Sequence, residues 1–508
     1  MRTTLRAVQQ TPGLVAIALG MALLAALSMA RPVLGLGIIA VAIGGAVVLA
    51  SPAARLLVLV FGGLVVLGSS TEVSTAKLIY GAAVLGVAMI SIINLLRDPP
   101  PWLARTWLWL GLALALAGSM VISTVATPGS DPTSIIRQGL FYMLIPLAPF
   151  IGVETGRELR LATTLWIAGG AGTLTAVGFA VDWLSRRGVA AFNLNFLVLG
   201  STVLAGLGFA LTLLIAVSTK GRQRVLWATM AAIIPVAMLV TGTRTNLMLF
   251  VVIVGMLGPL AKYRLHPGRA FAAVILVGAA IIIMLPIAAR MLLSDPTFLD
   301  KRVFALLEVL SGSAAGDQSF QWRAIQYQYA LDQIELRPLL GHGLGWNPPF
   351  AMDTPLVTVI KLGIVGTVVL VLFLVTSLLV IEKLAQARGY APIHAAARGM
   401  AVLLVALLPF GSPIEDRGFS FTLALLFAGV AAAANVPAAE RDSHRYLRLP
   451  QQRRTSGPQR DTPPAQPSET QPSDSTDQPR GVTPARRMTS PRRMHHRATM
   501  RRASDTPR

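Results

Sequence analysis

From Leu14 to Ala434 the chain is a succession of long apolar runs separated by short polar breaks, and this patterning leaves few folds open. The stretch from Leu356 to Ile381, "LVTVIKLGIVGTVVLVLFLVTSLLVI", is representative. A helix needs about twenty such residues to cross the ~30 Å hydrocarbon layer of a bilayer, and windows of that kind recur about 12 to 14 times. Hydrocarbon tolerates no unpaired backbone group, and each run is longer than a barrel strand, so the spans are helices. The composition agrees: 54% of the 508 residues are hydrophobic and 13% charged, against about 25% charged in ordinary soluble domains. The expected fold is all-α, a polytopic membrane bundle over residues 1–435 followed by a tail over 436–508. The first run ends in Ser28-Met29-Ala30, which has the small residues of a signal-peptidase site. An uncleaved first span is the expectation.

A net charge of +21 suggests nucleic acid until it is located. From Arg441 to Arg508 there are 15 arginines against 6 acidic residues, in a segment dense in Pro, Ser, Thr and Gln. Such a segment has too little apolar surface to fold, so a disordered tail is expected. On the cytoplasmic side it is drawn to anionic membrane lipid by about 1 kcal/mol per basic residue held at the surface. No nucleic-acid partner is expected. There is no cysteine, which excludes disulfides, iron–sulfur clusters and thiolate zinc sites.

Lysine and arginine also set the orientation. The basic breaks at 97–105, 154–160, 218–224, 262–269 and 382–394 read as inner loops, with both termini cytoplasmic. The breaks at 127–137, 241–246, 290–353 and 411–420 then read as outer. The third of these outer breaks is roughly sixty residues long, and loops of that length are usually functional or disordered. Within it, Phe320, Ala324, Tyr327, Leu331 and Ile334 recur at helical spacing, and "TFLDKRVFALLEVL" (Thr297 to Leu310) is also amphipathic. Residues 290–353 are therefore expected to form short helices capping the outer face.

The phosphate-cradling, zinc-protease and dinucleotide signatures are missing, which removes the simplest support for ATP-driven transport and metalloprotease activity. No Asp or Glu is expected centrally in a span, which weakens a proton-coupled carrier. What remains is polar chemistry at the outer edge. Arg244, in "VTGTRTNLMLF", offers a planar fork suited to phosphate, or it is an arginine snorkelling to headgroups. Arg323 stands beside Trp322 and precedes the turn "RPLLGHGLGW", a combination of rings and cations suited to a sugar diphosphate. Phe320 and Tyr327 read more simply as core of the capping helix, and His342 as incidental in a glycine turn. Asp353, before a span, is equally a helix cap or a general base. Trp346, Arg137 and Glu415 are further outward candidates for contacting a glycan.

Between Val240 and Phe373 the order "VTGTRTNLMLF", "WRAIQYQYALDQIELRPLLGHGLGW" and "DTPLVTVIKLGIVGTVVLVLFL" resembles the O-antigen ligase and O-antigen polymerase superfamily. The resemblance implies a multi-spanning GT-C type glycosyltransferase of the bacterial plasma membrane. Such enzymes take a glycan from a polyprenyl-diphosphate donor on the outer face and pass it to a cell-envelope glycan or lipid acceptor, with inversion and without metal or other cofactor. It implies that Arg244 and Arg323 bind the diphosphate and that Gly363 and Gly366 are the family's glycine pair. The family's His-Asn pair is replaced by Met352 and Asp353, so Asp353, with His342, becomes the candidate catalytic group. Trp322, Trp346, Arg137 and Glu415 would meet the glycan. A lipid-linked glycan flippase and a catalytically inactive assembly subunit are the rival readings.

Overall fold

The computed structural model describes residues 45, 51–68, 74–103, 107–127, 131–186, 200–241, 246, 248–262, 318–350, 352–388 and 390–434. Apart from residue 45, the expected spans at 14–50 and 271–289, the amphipathic piece at 297–310 and the tail at 436–508 lie outside these residues. Every regular element among the described residues is a helix, and none is a strand.

In chain order the helices are α1 (Pro52–Val66), α2 (Thr75–Arg97), α3 (Trp107–Val125), α4 (Pro132–Glu158), α5 (Leu161–Arg186), α6 (Thr202–Ser218), α7 (Gly221–Val240), α8 (Val251–Lys262), α9 (Gln318–Leu336), α10 (Leu356–Arg388), α11 (Ala391–Leu407) and α12 (Phe419–Ala434). Among the described residues five stretches, within α2, α3, α4, α5 and α10, are long and apolar enough to cross a membrane, and five more helices are shorter and apolar. The helix starts follow local chemistry. Ser51, Ser74, Asp131 and Ser201 stand just before α1, α2, α4 and α6, and the side chain of each accepts a first-turn N–H.

Apolar helices have no hydrophobic gain from associating in lipid, so close packing must hold them together. The tightest pair is α4 with α12. A Cβ at Gly152 would stand 2.2 Å from Ala424 O, and one at Gly156 2.3 Å from Ala428 O, so the two backbones touch where side chains would separate them. Deeper in, Trp109 packs on Phe150, Phe373 and Phe427, and its indole N–H donates to Ser377 Oγ at 2.8 Å. Four helices meet at that one side chain.

The polar breaks sort to two ends. One end gathers Leu67, the α3–α4 connection, residues 337–361, the 411–418 hairpin and the start of α6, joined by the contacts described below. The other gathers Arg157 with Asp98, Arg55 with Glu154, and Glu382 with His394 and Arg398. Among the described residues, those of the breaks at 127–137, 290–353 and 411–420 that make these contacts fall at the first end, and those from 97–105, 154–160 and 382–394 at the second. One expectation fails at the second end. Glu154 was expected in a loop, yet it is the buried penultimate turn of α4, 2% exposed. It survives there because Arg55 reaches it at 2.7 Å, and Ser91 and Asn94 donate to the same carboxylate at 3.3 and 3.0 Å. The inner loops are also shorter than expected: α4 runs to Glu158 and α10 to Arg388.

Candidate functional site

The glycine turn after α9 is a backbone device. Helix α10 breaks at Gly363, where φ is 67° and ψ −180°. The turn lies against that break and satisfies the groups it frees. His342 and Gly343 N–H donate to Ile360 and Lys361 O at 2.7 and 3.0 Å, while Ile364 and Val365 N–H donate to Pro338 and Leu339 O at 2.8 and 3.3 Å. A Cβ at Gly341 would sit 2.4 Å from Gly363 N, and one at Gly363 2.1 Å from Leu339 O. Both glycines also have positive φ, which costs other residues about 1–2 kcal/mol. The turn is tied on its far side to α3, where Leu344 N–H donates to Thr124 Oγ1 at 3.3 Å and Arg337 to Thr127 Oγ1 at 3.3 Å.

Docking the turn fixes what surrounds it. Lys361, one turn into α10 and only 5% exposed, puts Nζ 2.8 Å from Glu415 Oε1 and 5.3 Å over the ring of Tyr142. The Tyr142 hydroxyl donates to the same Glu415 oxygen. Helix α4, helix α10 and the 411–418 hairpin thus meet at one carboxylate. Arg137 donates to Asn347 Oδ1 at 2.9 Å and Gln138 to Trp346 O at 2.9 Å, which binds the start of α4 to the same turn. Arg417 lies 5.0 Å over the ring of Phe141 and donates to Leu67 O at 2.8 Å. Burial lowers its pKa and the nearby Arg137 charge lowers it further, with Glu415 and Asp416 acting the other way. Asp416 accepts from Ser201 Oγ and from the N–H groups of Val203 and Gly418, while burial raises its pKa.

The expected site residues fall as follows. Arg323 is half-buried on α9. Gln326, one turn along, is buried, and its Oε1 accepts the Asp353 N–H at 3.0 Å, so Asp353 stands beside the α9 turn that follows Arg323. Its carboxylate is exposed, and Thr354, not Asp353, accepts the Leu356 N–H at the start of α10. His342 Nε2 lies 2.8 Å from Gln333 O. A carbonyl only accepts, so Nε2 carries the proton and Nδ1 is the nitrogen left for acid–base work. Trp322 and Trp346 belong to one aromatic wall. Trp322 stands 5.3 Å from Phe350, and Tyr329 lies 5.1 Å from Phe350 and 6.4 Å from Trp346. Arg137 and Glu415 join the turn and the Lys361 cluster.

Arg244 lies outside the described residues, but Thr241 and Asn246, which flank its segment on either side, do not. Asn246 donates to Thr241 Oγ1 at 2.6 Å and accepts from Thr202 Oγ1 at 2.8 Å, next to Ser201, which holds Asp416. The flanks therefore sit at the end that carries the 411–418 hairpin. Sequence reasoning missed Lys361 and Tyr142. The signal for Lys361 was present, as a lone cation inside an apolar run; Tyr142 had none. Among the described residues no three His, Asp or Glu side chains converge to hold a metal ion.

Residues 228–371 match the family model described as O-antigen ligase. That region runs from α7 through the glycine turn into α10 and takes in Arg244, Arg323, His342, Asp353, Lys361 and Gly363. No curated protein matches the chain.

Proposed function

We propose, from the match of residues 228–371 to the O-antigen ligase family model, that this membrane protein is a member of the O-antigen ligase and polymerase superfamily and transfers or polymerises a glycan from a polyprenyl-diphosphate donor. The reaction takes place on the outer face of the bacterial plasma membrane, at the end of the bundle where the glycine turn docks. Both chain termini are then cytoplasmic. The observation that carries the reading is convergence. The family-matched turn, the Lys361–Glu415–Tyr142 cluster, Arg137 and the flanks of Arg244 all belong to one end of the bundle.

In this reading Arg244 and Arg323 grip the diphosphate. As the anomeric carbon–oxygen bond breaks, negative charge grows on the leaving diphosphate. Arginines fixed beforehand in a water-poor site stabilise that charge more than they stabilise the bound donor, and this difference is what accelerates the step. The guanidinium charge takes the part a divalent ion plays elsewhere, so the reaction needs no metal. Asp353 takes the proton from the acceptor hydroxyl as it attacks from the opposite face, which inverts the anomeric centre. His342, through Nδ1, is the second candidate for that proton. Trp322 and Trp346 offer rings to the apolar faces of sugars, and Glu415, one-third exposed, offers an acceptor to their hydroxyls.

The test is purified protein in detergent with a polyprenyl-diphosphate oligosaccharide and an acceptor. A longer glycan is expected, and EDTA should leave its rate unchanged. A flippase yields no new glycan there, since no compartment remains to cross, and that result would retire the enzyme reading.

A further inference from the structure

Helices α2 and α4 line an open groove of about 370 Å³ on the flank of the bundle. Leu78, Leu85, Leu140, Met143, Leu144 and Leu147 supply its apolar walls, and Gly81, Ala82 and Gly139 make room between them. On α4 the lining residues from Ile136 to Leu147 span 11 steps of helix, about 16 Å, or half the ~30 Å hydrocarbon thickness. The groove has a polar head. Lys77, Ile136 and Leu140 line it and also line a much smaller adjoining pocket of about 20 Å³, which adds Leu67, Phe141, Arg137 and Arg417.

The head therefore collects three cations from three elements: the first turn of α2, the second turn of α4, and the 411–418 hairpin. Like charges repel, and the pKa of Arg417 is lowered both by burial and by Arg137. The ring of Phe141 and the Leu67 carbonyl nevertheless hold the guanidinium at the pocket. Arg137 at the same time reaches Asn347 on the glycine turn, so this head adjoins the proposed reaction site. Three cations over a single apolar groove complement an amphiphile with a multiply charged anionic head and one long tail. The apolar segment 1–44 of this chain is a poor match for the head, because it contains arginines and no acidic residue.

We infer that this groove seats the isoprenoid tail of a polyprenyl diphosphate, with Lys77, Arg137 and Arg417 holding its phosphates where the lipid passes between bilayer and reaction site. The inference rests on the proposed function for the identity of the lipid, and it adds a cationic centre separate from Arg244 and Arg323.

The test is photolabelling of the full-length protein in phosphatidylcholine nanodiscs with a polyprenyl diphosphate carrying a benzophenone on its tail, read by peptide mass spectrometry. Adducts are expected on Leu78–Leu85 and Gly139–Leu147. Excess unlabelled polyprenyl diphosphate should remove them, whereas polyprenol and phosphatidylglycerol should not. Arg137→Gln with Arg417→Gln should lower labelling about a hundredfold or more, since each charge-assisted bond lost is worth about tenfold or more. Gly139 lines the groove and nothing lies within 4 Å of a Cβ there, so Gly139→Phe should direct a ring into the groove and displace the adducts. Adducts spread evenly over the lipid-facing helices, or equal competition by phosphatidylglycerol, would overturn the inference and leave an ordinary annular lipid surface. Labelling with the expected competition in a protein that transfers no glycan would keep the site and retire the transferase reading.

Discussion

Lys361 and Glu415 form a pair whose two halves differ in exposure, and that difference sets what their loss costs. The lysine is almost fully enclosed, whereas the Glu415 side chain is 33% exposed and screened by solvent. Lys361→Met should therefore destabilise the protein by about 1–2 kcal/mol, less than the loss of a fully buried partner. Adding Glu415→Gln should recover most of it, with thermal unfolding in detergent as the readout. Asp416 supplies a pH dependence of definite sign. Its pKa is raised above the ordinary carboxylate value chiefly by burial, so its contribution to stability is complete below that value and is lost as pH rises through the raised one. Wild-type stability measured upward from about pH 4 should carry this falling slope, and Asp416→Asn should remove it. An unchanged slope in the variant would show that another group titrates.

At the scale of elements, two junctions decide the architecture of the ends. The first is the bracket between the glycine turn and the break in α10. Gly363→Ala would force a Cβ to 2.1 Å from Leu339 O and would also require a positive φ of alanine. A loss of at least about 2 kcal/mol is expected, together with loss of transfer activity, because the turn that carries Trp346 and Asn347 can no longer dock. Retained activity in folded Gly363→Ala protein would mean that the bracket does not position the site. The second junction is the Arg55–Glu154 pair at the opposite end, where side-chain exposures are 4% and 3%. Glu154→Gln leaves a buried guanidinium without its counter-charge and should cost about 3–5 kcal/mol. The double variant Arg55→Met with Glu154→Leu should restore much of that, measured by unfolding of the purified protein.

For the whole molecule, the helical bundle was legible because the bilayer imposes a length and an apolar composition that the sequence must display. Among the described residues, lysine and arginine alone sorted the breaks at 97–105, 154–160 and 382–394 from those at 127–137 and 411–420. What the sequence hid were contacts between distant segments. Tyr142, Lys361 and Glu415 stand far apart in the chain, and nothing local in any of them announces the other two. Glu154 was misread for the same reason, since its partner Arg55 lies 99 residues away and a lone acid near a span end looks like a loop residue. The glycines of "GHGLG" were visible, but their purpose was not, because it depends on a break in another helix. The central claim is that fixed arginines at the turn-bearing end stabilise a departing diphosphate. It is tested most directly by the steady-state rate of glycan transfer for Arg323→Ala and Arg323→Lys against wild type. The account predicts a fall in kcat of about 10²–10³ for alanine, with partial recovery by lysine, which restores charge without the planar fork. Wild-type kcat in folded Arg323→Ala protein would contradict it.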